Sequence, residues 1–185
     1  DGTGDYLTTP SSTNLSLGTS NFTYETWFYP TVTGAASKPI AYQYNVATIG
    51  GFIFYWTAAS AVRVLVAAGT QWNIDFTTSA VPLNSWCHIA LVRSGTTFYI
   101  FINGNLVHTA SSISGTLGTA SVPILIGGGN GGLEIITASY IAGCRLVKGT
   151  VLYTSAFTPP TQLFSIANTQ LLTCQNTTII HNSNN

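Results

Sequence analysis

The sequence predicts an all-β fold, an antiparallel two-sheet sandwich, and three observations carry that expectation. Turn-forming residues recur at short intervals, and the runs between them are rich in Thr, Val, Ile, Tyr and Phe, which fit a pleated surface. Two consecutive hairpins can be read from their turns. No long stretch keeps a helical period, so almost no helix is expected.

The elements follow in chain order. Asn21 to Tyr29 alternates, with Phe22, Tyr24, Thr26 and Phe28 on one face and Thr23, Glu25, Trp27 and Tyr29 on the other; Pro30 ends the run. Ile49–Trp56 is apolar around Gly50-Gly51, Val62–Ala67 follows a polar gap, and Trp72–Phe76 is short, ending at Thr77-Thr78. Trp86–Arg93 and Thr97–Asn103 are joined by Ser94-Gly95-Thr96, a hairpin turn. Asn103-Gly104, which accepts positive φ at both central positions, starts a second hairpin into Asn105–Thr109. Trp86, Ala90 and Val92 face one way and Cys87, Ile89 and Leu91 the other. A strand apolar on both sides must be covered on both, by a second sheet and by loops or a neighbouring subunit. Further strands are expected at Val122–Ile126, Tyr140–Val147 and Leu171–Gln175, with the glycine run Gly127–Gly132 as a flexible loop between them.

Composition narrows function. Of 185 residues, five are Lys or Arg and five Asp or Glu, a formal net charge of zero. Charged residues make up 5%, against roughly 25% in an average soluble domain. So few cations cannot line a phosphate backbone, which excludes nucleic acid as a main ligand. No run approaches the apolar length of a spanning helix, so membrane insertion is not expected. The sequence begins at Asp1 and contains no Met, so residues 1–185 are expected to be one domain of a processed or longer polypeptide.

Several segments together resemble the laminin G-like and pentraxin-like branch of the concanavalin A-like lectin/glucanase superfamily. They are Asp1-Gly2-Thr3-Gly4-Asp5-Tyr6-Leu7, Phe22-Thr23-Tyr24-Glu25-Thr26-Trp27 and the hairpin from Trp86-Cys87-His88 through Asn103-Gly104. Ile124-Leu125-Ile126-Gly127-Gly128 and Ile141-Ala142-Gly143-Cys144-Arg145-Leu146 continue the family's order. The tail motifs Gly149-Thr150-Val151-Leu152-Tyr153-Thr154, Phe157-Thr158-Pro159-Pro160 and Leu171-Leu172-Thr173-Cys174-Gln175 are similar to modules of bacteriophage virion and tail-fibre proteins. The resemblance implies a jelly-roll sandwich. Its functions range over lectins, adhesins, enzymes and structural modules, so function must be argued from a site.

Enzymes of that superfamily need paired carboxylates about 5–9.5 Å apart. The acids are Asp1, Asp5, Glu25, Asp75 and Glu134, and only Asp1 and Asp5 stand at a spacing that could share a strand face, flanking turn glycines. No Gly-x-Ser-x-Gly elbow accompanies His88, His108 or His181. His88 reads as a hydrogen-bonded core or rim histidine and His108 as exposed; His181 lies in the polar tail. An enzyme is not expected. Calcium is a cofactor the resemblance brings into question. It wants six to eight oxygens, and Asp75 beside Asn73 is the candidate ligand; otherwise no cofactor is expected. Glycan binding wants an aromatic face with amide and carboxylate groups at a loop rim. Tyr42, Tyr44 and Asn45 form one such cluster, Trp72, Asn73 and Asp75 a second, and Asn130 can add a polar contact. Trp27 and Trp86 match family core positions and are set aside as ligand contacts. Arg93, Arg145 and Lys148 read as solvated or backbone-capping charges.

Cys87 and Cys144 read as small buried residues, and the three cysteines fit no zinc spacing. A Cys144–Cys174 bridge is one alternative that sequence does not decide. Asn14, Asn21 and Asn176 fit Asn-x-Ser/Thr, which matters only in a secretory host. The leading expectation is a non-catalytic structural or adhesion module of an extracellular assembly, a phage virion or tail fibre, contacting itself or other subunits. The alternative is a carbohydrate-binding module of a bacterial surface or secreted protein, with cell-surface glycans as ligands.

Overall fold

Alternation and turn chemistry place most of the strands. The computed structural model describes residues 5–34, 36–118 and 122–175. The strands are β1 (Leu7–Thr8), β2 (Phe22–Pro30), β3 (Lys38–Asn45), β4 (Gly50–Trp56), β5 (Ala61–Ala68), β6 (Ile74–Ala80) and β7 (Cys87–Ser94). They continue as β8 (Thr97–Ile102), β9 (Asn105–Ala110), β10 (Leu125–Ile126), β11 (Gly128–Gly129), β12 (Glu134–Ile135), β13 (Ser139–Lys148) and β14 (Thr169–Thr173). A first six-stranded sheet has the order β1-β10-β3-β4-β5-β6, and a second β14-β13-β2-β7-β8-β9. All pairs are antiparallel. Helix among the described residues is limited to two short 3₁₀ turns, and no helix there is long and apolar enough to cross a membrane. The expected all-β jelly-roll sandwich is what the chain forms.

The core lies between the inner faces. Phe22, Tyr24 and Phe28 of β2 meet Phe52, Phe54 and Trp56 of β4, with Val62, Val64 and Val66 beside them. Tyr24 packs at 4.9 Å from Phe52 and Phe28 at 5.2 Å from Trp56, ring centroid to centroid. Aromatic residues in such contact stabilise beyond their buried area. The predicted hairpins are present: Ser94 pairs with Thr97, and Ile102 with Asn105 across Asn103 (φ 50°) and Gly104 (φ 76°). That double positive φ is the turn the dipeptide was expected to make.

The outer face of the second sheet is also apolar, and the chain covers it itself. Ala90, Val92 and Phe101 are packed under Val151, Tyr153 and Phe157. The Tyr153 and Phe157 rings stack at 3.5 Å. Residues 149–168 thus form a strap whose first part, Val151 to Phe157, covers β7 and β8, so these strands need no neighbouring subunit, and that ground for an assembly interface is removed. Trp27 Nε1 donates to the Pro160 carbonyl at 3.2 Å, pinning the middle of the strap to β2.

Other expectations are corrected. β3 was not foreseen because Pro39 and Gln43 interrupt its apolar pattern. Gln43 points inward yet is satisfied, donating to the carbonyls of Leu15 (2.8 Å) and Val122 (3.2 Å). The strand expected at Trp72–Phe76 starts only at Ile74 and runs to Ala80. Asn73 closes the preceding turn, accepting from the Ala68 N–H at 2.6 Å, which leaves Trp72 at φ 52°. Only Leu125–Ile126 of the segment 122–126 pairs as strand. The glycine run is no free loop: Gly128 pairs with Ile135 and Gly129 with Glu134, and both glycines are buried. Arg93 keeps the backbone-capping reading: it is buried and donates to the carbonyls of Gly18, Gly95, Ile113 and Gly115. His108 is half-buried, its ring stacked on Phe76 at 4.4 Å. Residues 1–4 of the opening motif, Asn176 and His181 lie outside the described residues.

Candidate functional site

Register assembles the candidate site on the outer face of the first sheet. Tyr42 and Tyr44 project from the same side of β3; their Cα partners on β4 are Ile53 and Gly51. Ile53 pairs with Leu65, and Leu65 with Asp75. Leu125, Ile53, Leu65 and Ala67 share this face and are buried outside the main core, giving it an apolar floor. Trp72, in the turn between β5 and β6, lays its indole on Tyr44 at 5.0 Å and 33°, and Tyr44 meets Tyr42 edge-on at 6.4 Å. The two sequence clusters are therefore one, a row of three half-buried rings on a sheet face instead of two loop rims.

The glycine run sets where the rings lie. A Cβ on Gly129 would stand 2.6 Å from Pro39 Cγ and 2.8 Å from Tyr42 Cδ2, so only glycine lets this ladder sit against Tyr42. Tyr6 lies across Gly128 and Gly132 in the same way. Tyr55 and Glu134 extend the patch, the Tyr55 hydroxyl donating to Glu134 Oε2 at 3.4 Å. Burial first, then the Glu134 charge, pushes Tyr55 up to about 12. Tyr42 is raised for the same two reasons, in the same order. Sequence reasoning missed Tyr6, Tyr55 and Glu134. The usable signal was Tyr55 standing two residues from Ile53 in an apolar strand.

The polar candidates are mostly engaged locally. Asn45 Oδ1 accepts from the N–H groups of Ala47 (2.8 Å) and Thr48 (3.2 Å), an Asx turn. Asn73 holds its own turn, also donating to Thr70 Oγ1 at 2.8 Å. Asp75 takes a two-pronged contact from Arg63, at 2.7 and 2.6 Å, which holds its carboxyl below the usual range. The oxygens that suggested a calcium ligand thus face a guanidinium. Among the described residues no three His, Cys, Asp or Glu side chains gather as a metal set. Asn130 is exposed on the short turn after β11, its carbonyl accepting from Leu133.

A second polar constellation is buried beneath the strap. Glu25 is fully buried, its Oε1 accepting from Arg145 Nε at 2.9 Å and Nη2 at 2.5 Å. Its Oε2 meets His88 Nε2 at 3.0 Å and accepts from the Tyr153 hydroxyl at 3.1 Å. Burial by itself would push the carboxyl up; the His88 hydrogen bond and the Arg145 charge outweigh it and hold Glu25 below its ordinary value. Arg145 reaches this position because β13 shifts register between Ala142 and Arg145, with Gly143 at φ 56°. Such a bulge re-aims the residues that follow it. Arg145 is therefore a buried ion-pair partner that also caps the Phe164 carbonyl, and not a solvated charge. His88 is the hydrogen-bonded core histidine that was expected. With all four groups engaged on one another, the constellation is a structural clasp.

Trp86 corrects another expectation. It is 46% exposed, with its ring 5.3 Å from Tyr29, which in turn lies 5.9 Å from Tyr140, itself 64% exposed. It stands just before β7, and among the described residues the ring contacts of the strap reach His88 but not Trp86.

Comparison with known proteins agrees with this architecture. Among solved structures, a heptameric SAP-like pentraxin from Limulus polyphemus superposes with a TM-score of 0.59 at 15% identity, over 80% of this chain and 71% of the pentraxin. The CBM40 of the Ruminococcus gnavus IT-sialidase, bound to α2,3-sialyllactose, gives 0.55 at 17% identity, over 72% and 78% of the two chains. Domain 4 of AbnA, an extracellular arabinanase from Geobacillus stearothermophilus, in complex with arabinotriose, gives 0.54 at 11% identity, over 75% and 65%. At such identities the likeness concerns the fold alone. No curated protein matches the sequence. Residues 1–159 match a laminin G family model described as concanavalin A-like lectin/glucanases superfamily. With strand order, register and sequence in agreement, the chain belongs to the concanavalin A-like lectin/glucanase superfamily, as a laminin G-like domain.

Proposed function

We propose that this domain is a non-catalytic carbohydrate-binding module of an extracellular or surface protein, and that its ligand lies on the outer face of the first sheet. The observation that carries this is the row Tyr42–Tyr44–Trp72 over an apolar floor. A sugar ring offers an apolar C–H face and a girdle of hydroxyls. Half-exposed aromatic rings take the face, while phenolic hydroxyls, Glu134 and the exposed Asn130 take the girdle. Two of the superposing domains carry an oligosaccharide, which supports the reading by analogy of fold. Glu25, Asp75 and Glu134 are each engaged by a basic or phenolic partner, which supports a binding role over a hydrolytic one. A virion setting has only the tail motifs to support it.

A glycan array with the whole chain is expected to give hits that calorimetry then quantifies. Trp72→Ala should weaken the best hit about 30-fold, the roughly 2 kcal/mol of a binding hot spot, while leaving the unfolding midpoint nearly unchanged. An empty array, or full affinity in the variant, would sink the proposal.

A second reading, self-association, is favoured by one observation, the exposed Trp86–Tyr29–Tyr140 cluster. Large exposed aromatic groups mark contact surfaces, and a surface so poor in charge resists association weakly. Sedimentation is expected to show a concentration-dependent dimer or larger species that Trp86→Ser with Tyr140→Ser dissolves. A strictly monomeric wild type at high concentration would rule it out.

A further inference from the structure

We propose that Cys144 and Cys174 are a disulfide site, a reversible clip that closes the strap onto the second sheet. Among the described residues all three cysteines are free thiols, and backbone geometry turns two of them toward each other. Cys144 on β13 has Thr173 as its Cα partner on β14, so both side chains face inward. Strict alternation would send Cys174 outward. Its φ of 58° reverses that and returns the side chain to the core, where it packs with the cluster that holds Cys144. The Gly143 N–H donates to the Cys174 carbonyl at 2.8 Å, which fixes this last register.

The thiols differ in the way an exchange reaction requires. Contact with Cys174, followed by burial, pushes the Cys144 thiol well up, and contact with Cys144 lowers that of Cys174. Cys174 is half-buried and reachable; Cys144 is fully buried, with Thr26 Oγ1 3.1 Å from its sulfur. The thiolate is the attacking species, so Cys174 leads. With a small-molecule disulfide as oxidant, the Cys174 thiolate attacks one of its sulfurs and releases one small thiolate. Cys144 then gives up its proton and attacks the Cys174 sulfur of that mixed disulfide, releasing the second. Two S–H bonds are lost, one S–S bond forms, and the oxidant is reduced to two thiols. The loop so closed contains the whole strap over Glu25, His88 and Arg145.

The test equilibrates the whole chain with oxidised and reduced glutathione, quenches by alkylation, and maps peptides by mass spectrometry. Two thiols should disappear together, with Cys144 and Cys174 in one linked peptide pair. Cys87, whose thiol burial pushes up to about 12, should be alkylated only after unfolding. The thermal midpoint should rise on the order of 5–10 °C and return when reductant is added. Cys174→Ser should abolish the bridge, and Cys144→Ser should trap glutathione on Cys174. Should the second variant fail to fold, the first decides alone, since its site is half-exposed. Three free thiols under oxidising conditions, a bridge involving Cys87, or glutathione left on Cys174 of the wild type would each overturn the proposal.

Discussion

Replacing Glu25 by alanine is expected to lower the unfolding free energy by about 3–5 kcal/mol, the range for breaking a buried ion pair from one side. The loss comes less from the pair than from what it leaves behind. Arg145 would keep a buried guanidinium with only the Phe164 carbonyl, at 2.8 Å, to accept from it. His88, whose Nδ1 already lacks a partner, would lose the one at Nε2, and the Tyr153 hydroxyl would lose its acceptor. Urea unfolding of Glu25→Ala and Arg145→Ala, with the double variant, measures this. The double variant should recover part of the loss, because it removes the orphaned charge along with its partner. Strict additivity would mean the clasp is not a coupled unit.

The same clasp gives the fold an acid limit. The folded-state value of Glu25 lies below its ordinary one, so on acidification the unfolded chain takes up the proton first. The stabilisation is therefore complete above the unfolded value, about pH 4.3, and drains away as the pH falls through the lower folded value. In Glu25→Gln that sloping segment should flatten.

How much of this could be read in advance differs by level. β2, β7, β8 and β9 were legible because alternation and two hairpin turns are local signals. β3 was not, because Gln43 and Pro39 break the pattern and their compensation is tertiary: Gln43 finds its acceptors 28 and 79 residues away. Tyr42, Tyr44 and Trp72 were each singled out, but their meeting depends on β3–β4–β5 register, which no single segment encodes. Asn45, Asn73 and Asp75 were chosen for their side-chain chemistry, and local partners had already claimed it. Glu25 was seen as an isolated acid because its three partners come from β7, β13 and the strap, and Trp86 was misjudged because the ring contacts of the strap reach His88 but not Trp86.

Gly51→Ala is the second large loss expected, about 3–5 kcal/mol, and it separates the scaffold from the site. Gly50-Gly51 inside an apolar strand has no local reason; a glycine there marks a bulge or a close backbone approach. Here it is the approach: a Cβ on Gly51, at φ 135°, would stand 1.8 Å from the Gln43 carbonyl oxygen, with that carbonyl carbon at 2.8 Å. Backbone on a paired strand cannot rotate out of the way, so β3 must shift against β4. Gly69 is the control, since it also has positive φ, 82°, but nothing within 4 Å of its would-be Cβ. Gly69→Ala bears only the milder strain near the left-handed region, about 1–2 kcal/mol, and the excess for Gly51 in urea measures the clash together with its more extreme φ. Equal losses would show that strain alone places the glycine. Because Gly51 is the Cα partner of Tyr44, its substitution should take glycan affinity and stability down together. Trp72→Ala, which removes a ring from the surface and leaves the β3–β4 ladder intact, should take only the affinity.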